Sequence, residues 1–93
     1  MHSVRTTKVY SPNIDVEITK IGKSLEIRTL KKYSEEEIIP KLRISLNDLY
    51  EPTYMPRWLK QDSNSSIKKQ IYSEVLYLTK ETIKWLEYWE KLV

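Results

Sequence analysis

Asp15 on one alternating stretch, and Glu26 with Arg28 on the next, are the residues of this chain best suited to chemistry. Two carboxylates on neighbouring strands can hold a divalent ion, and a base beside them can steer an attacking water. Glu35, Glu36 and Glu37 form a second acidic run that offers hard oxygen ligands. Both groups also have plainer readings. The first falls on the polar side of an ordinary hairpin. The second suits the positive end of a helix dipole. The plainer readings are preferred, so no enzyme activity, metal or cofactor is expected.

Other catalytic arrangements lack their parts. His2 is the one histidine and there is no cysteine, which leaves no Ser-His-Asp, Cys-His or zinc constellation to build. Gly22 is the one glycine, so neither a dinucleotide fingerprint nor a phosphate loop is present. The Asp15, Glu26 and Arg28 set loosely resembles the pattern of metal-dependent nucleases of the restriction-endonuclease type. Arg28 stands where that pattern has lysine, and no flanking strands complete such a core.

The aromatics carry more weight. Seven tyrosines and three tryptophans supply the whole set, with no phenylalanine. Tyr10, Tyr33, Tyr50 and Tyr54 lie near Lys8, Lys31, Lys32 and Arg57, a mixture that stacks on single-stranded nucleic acid. Without phenylalanine, the same residues must also fill the core. Trp58 is expected inside, clamping a connector. Trp85, Tyr88 and Trp89, at helical spacing near residue 90, are expected to bind a partner, together with Tyr54 and Met55 of the connector.

The net charge is +3 with a pI near 9.1. Residues 1–33 carry seven bases against three acids, so the basic excess lies in the first third. Arg5, Lys8, Lys20, Lys23, Lys31 and Lys32 form the candidate nucleic-acid-binding set. A committed DNA binder shows a denser stripe.

These side chains must be positioned by few elements. The 93 residues make one domain with a thin core. Residues 1–13 read as an extended arm. Ile14, Val16 and Ile18, then Leu25 and Ile27, alternate with polar residues, so strands at 14–20 and 24–30 form a β-hairpin that turns at Gly22. Ser34 and Glu37 read as a capping box. Ile38, Leu42, Leu46 and Leu49 read as the stripe of a helix over 35–50, kinked at Pro40. A short strand at "KLRIS" is the alternative. Residues 51–66, "EPTYMPRWLKQDSNSS", form a connector with one helical turn at 57–61 and a flexible lead-in from 62. A long amphipathic helix spans 67–92, capped by Ser65 or Ser66. At about 40 Å it is longer than the rest of the chain covers easily, so its Trp85–Trp89 end is expected to overhang.

The fold class is therefore α+β: an N-terminal hairpin packed on a kinked middle helix and a long C-terminal helix. The first ten residues lack an apolar signal segment and no run approaches a membrane span, so a cytoplasmic location without membrane contact is expected. Asparagine and glutamine number five, and Lys and Glu are abundant, a thermophilic character. In size and composition the whole chain resembles small thermophilic archaeal accessory proteins, such as the small subunits of the archaeal B-family DNA polymerase holoenzyme. No motif carries that resemblance, so it transfers no residue role. It implies binding to, and stabilisation of, a polymerase. The expected function is thus a non-catalytic accessory or adaptor subunit on a larger protein of nucleic-acid processing. The alternatives are a direct DNA- or RNA-binding protein using the basic hairpin, or a small virus- or plasmid-encoded inhibitor. Pairing of two copies is compatible with each.

Overall fold

A computed structural model describes residues 4–52, 54–61 and 66–92. Four antiparallel strands run in sequence order across one sheet: β1 (Val4–Tyr10), β2 (Ile14–Ile21), β3 (Ser24–Lys31) and β4 (Glu37–Ser45). Two short helices, α1 (Leu46–Leu49) and α2 (Arg57–Gln61), lead to α3 (Ser66–Lys91). The α+β class holds, and the molecule measures 45 × 30 × 21 Å.

The central hairpin follows from its alternation. Ile14, Val16 and Ile18 of β2 and Leu25 and Ile27 of β3 are buried, while Asp15, Glu17 and Arg28 face the other way. Ile21 pairs with Ser24, leaving Gly22 and Lys23 as a two-residue turn. Gly22 has φ 61°, a conformation glycine reaches without a Cβ clash.

Two elements differ from the sequence reading. The arm expected over 1–13 is strand β1 from Val4 to Tyr10, paired with β2 from Val4↔Ile21 to Tyr10↔Asp15; residues 1–3 lie outside the described residues. The helix expected over 35–50 is strand β4 followed by the single turn α1. Both errors have one cause: a two-stranded hairpin leaves two open edges and one uncovered apolar face, and neighbouring segments are recruited to pair with it. Within 35–50, the apolar residues fit two periods. Ile38, Leu42, Leu46 and Leu49 fit a helix, but Ile39, Leu42 and Ile44 are the residues buried against Thr29, Ile27 and Leu25.

Pro40 fits the strand better than the helix. The register moves from Ile27↔Leu42 to Thr29↔Ile39, so β4 has one extra residue there, and a second shift follows at Leu30↔Glu37. Proline cannot donate to a ladder, and it sits here at a bulge on an edge strand. The capping box also dissolves. Ser34 Oγ accepts from the Glu36 amide at 3.0 Å in a tight turn, and Glu37 opens β4.

α3 covers one face of the sheet. Tyr72, Val75, Thr79 and Ile83 form its buried row and meet Val16, Ile18, Ile27 and Leu42 in one core, with Leu49 and Leu59 closing the ends. The helix boundaries match the expected 67–92 closely. Of the expected caps, Ser66 is its first residue, and Ser65, with the rest of the lead-in at 62–65, lies outside the described residues.

Candidate functional site

α3 is 26 residues, about 39 Å along its axis. The strands are seven to nine residues, about 23–30 Å. The helix is therefore longer than any one strand. Its buried row runs from Tyr72 to Ile83, and beyond it Trp85, Tyr88, Trp89 and Leu92 are each more than half exposed. At 100° per residue, Trp85, Tyr88 and Leu92 fall on the side away from the buried row. The rings brace one another. Trp85 and Tyr88 meet edge to face with centroids 6.0 Å apart, and Tyr88 and Trp89 do so at 5.8 Å. Edge-to-face contact is a favoured arrangement for aromatic pairs. Lys84 joins Trp85 and Tyr88 around a shallow, mainly apolar recess.

The other partner candidates lie elsewhere. Tyr54 and Met55 are half-buried and packed against the core, so the connector that holds them is a folded corner. Trp58 packs edge to face on Tyr72 at 6.4 Å. Tyr72 Oη donates to the Tyr54 carbonyl at 3.5 Å. Burial, and then the neighbouring Tyr54, push the Tyr72 hydroxyl up to about 12. Pro56 accepts from the Leu59 and Lys60 amides and starts α2.

The six basic candidates do not converge. Arg5 and Lys20 are register partners on the helix-covered side of the sheet, and Lys20 reaches Glu90 of α3 at 3.9 Å. Lys8 lies on the opposite face, beside Glu17. Lys23 sits in the β2–β3 turn, and Lys31 and Lys32 lie at the far end of β3. Lys32 is committed inside the fold. Its Nζ donates to Ser11 O at 2.7 Å and Asp15 Oδ1 at 2.8 Å, beneath the rings of Tyr10 and Tyr33 at 5.3 and 5.6 Å. This knot ties the β3–β4 turn, where Tyr33 has φ 59°, to the β1–β2 turn.

The carboxylates are likewise engaged separately. Asp15 pairs with Leu30 in the ladder and Glu26 lies four residues along β3, about 13 Å away. Asp15 binds Lys32; that hydrogen bond, opposed by burial and aided by the Tyr33 amide, holds its carboxyl below the ordinary 3.8. Glu26 pairs with Arg43 at 3.1 Å. Arg28 gathers Glu17 and Glu37 at 3.3 Å and Glu35 at 3.6 Å, and the hydrogen bonds it donates to Glu37 and then to Glu17 raise its pKa. This charge ladder is what the Glu35–Glu37 run supplies. The Glu17↔Arg28 contact was implied by the hairpin register, whereas Glu35 and Glu37 arrive through β4. Among the described residues, no cluster of metal-ligating side chains forms.

No helix of the described residues is long and apolar enough to cross a membrane. Comparisons with protein-family models, curated proteins and solved structures find no match to this chain.

Proposed function

We propose that this chain is a non-catalytic accessory subunit that docks on a larger protein through the exposed aromatic end of α3. One observation carries the reading: the Trp85–Tyr88–Trp89 trio is more than half exposed yet held edge to face. Tryptophan and tyrosine dominate interface anchors, because each buries much area at little conformational cost. Two adjacent tryptophans left in water are unfavourable in a free monomer, and a partner's apolar groove would remove that cost. The scattering of the six basic residues weighs against a direct nucleic-acid surface as the main role. The resemblance in composition makes a B-family DNA polymerase holoenzyme the first partner to test.

The test compares the unmodified protein with a Trp85→Ser, Trp89→Ser variant. Each is measured for binding to the polymerase of the source cell by sedimentation, and for retention of a stoichiometric partner from the native extract. The unmodified protein should hold one larger protein at one-to-one ratio, and the variant should lose it while melting normally. A variant that keeps its partner overturns the placement of the dock. Tight DNA binding by the isolated protein, falling steeply with salt, overturns the role.

A further inference from the structure

The two edges of the sheet are unlike. β4 carries Pro40 and two register shifts, which break the row of backbone donors and acceptors along its outer side. β1 has neither. Its seven residues pair with β2 in unbroken register from Val4↔Ile21 to Tyr10↔Asp15. Among the described residues, none hydrogen-bonds to the backbone of its outer side. About half of its amides and carbonyls therefore face away from the sheet along roughly 23 Å. An open, regular edge is a template for one more strand.

Charge selects the occupant. β1 carries Arg5 and Lys8 and no acid. Arg5 lies on the helix-covered side, next to Lys20, and Lys8 lies on the open side. A second copy would bring two more cations to this edge, which disfavours self-pairing. A phosphate chain would use the cations and amides but leave the carbonyls unpaired, and the nearby Lys20 and Lys32 are engaged by Glu90 and Asp15. We infer that the outer edge of β1 accepts an extended acidic segment of a partner protein, with acidic side chains opposite Arg5 and Lys8 on the two faces of the added strand. This goes beyond the docking role given to α3, and its basis is independent. The two surfaces adjoin, because Lys20 links the Arg5 end of β1 to Glu90 of α3.

The probe is the capped peptide Thr-Val-Glu-Thr-Val-Glu-Val, which places its glutamates opposite Lys8 and Arg5 when antiparallel. Its partner probe has lysine at both glutamate positions. Amide NMR shifts and hydrogen exchange of the intact protein are followed at millimolar peptide. The glutamate peptide should shift and protect β1 amides, and the lysine peptide should bind about tenfold more weakly. An Arg5→Glu, Lys8→Glu variant, checked for an unchanged melt, should invert that preference. The Trp85→Ser, Trp89→Ser variant should bind the glutamate peptide normally, which separates this edge from the α3 dock. Unperturbed β1 amides, equal binding of both peptides, protection of β1 by dimerisation of the protein alone, or larger β1 shifts with a single-stranded oligonucleotide would each overturn the inference.

Discussion

Asp15 has a structural task in this fold. Its carboxylate accepts from Lys32 and from the Tyr33 amide and joins two turns. The lowered pKa has a consequence for folding. Between the folded value and 3.8, the unfolded chain binds more protons than the folded one. The stabilisation is therefore complete above 3.8 and is lost as pH falls through the folded value. Urea unfolding across that range should show the loss in the unmodified protein and a shallower one in Asp15→Asn.

Two threonines make the opposite case. Thr29 and Thr79 are fully buried, and neither hydroxyl has a hydrogen-bond partner among the described residues. An unpaired buried hydroxyl is destabilising, and valine offers nearly the same shape without it. Thr79→Val should stabilise the fold by about 1 kcal/mol in chemical denaturation. An unchanged or lowered midpoint would mean that water reaches the site. The sequence reading singled out neither: Thr29 lies two residues beyond Ile27 on the buried side of β3, and Thr79 falls between Val75 and Ile83 on α3, so their burial emerged with the packing.

Among the elements, β4 carries the main lesson. Its segment has two overlapping periods, and local sequence does not choose between them. The choice comes from β3, whose outer edge needs a ladder partner, and from Pro40, which a bulged edge strand tolerates and a helix interior does not. The strand makes Ile44 a core residue, whereas the helical stripe would turn it away from Leu42. Ile44→Ala should then cost about 2–4 kcal/mol, while Lys41→Ala should change stability by less than about 0.5 kcal/mol. Equal, small effects at the two positions would argue for the helix. For β1 the extended conformation was expected, and its pairing was missed for a related reason. "VRTTKVY" has a weak apolar alternation, and it becomes a strand because β2 offers a complementary edge.

For the molecule as a whole, the governing fact is that α3 turns one side to the sheet and leaves Trp85, Tyr88 and Leu92 on the other. Ile83 and Leu86 pack on the core, while Trp85, Tyr88 and Trp89 in the same turns are exposed. Replacing Trp85 and Trp89 by serine should accordingly leave thermal stability within about 0.5 kcal/mol of the unmodified protein. A large loss would mean that these rings belong to the core. Point substitution is the cleaner test than truncation after Lys84, since Leu86 packs on the core and Glu90 reaches Lys20.

The amino-acid order alone determined the central hairpin, its Gly22 turn, the long helix and the excess of aromatics near its end. Each is encoded within a window of neighbours, by alternation, a positive φ or a 3.6-residue stripe. The rest depended on contacts far apart in the chain. Whether 35–50 coils or extends, whether 4–10 pairs, and which cation neutralises which carboxylate follow from a sheet edge and an apolar face that exist once the hairpin has formed. The candidate docking end belongs to both accounts: sequence supplied Trp85, Tyr88 and Trp89, and the side of α3 that packs on the sheet left them in water.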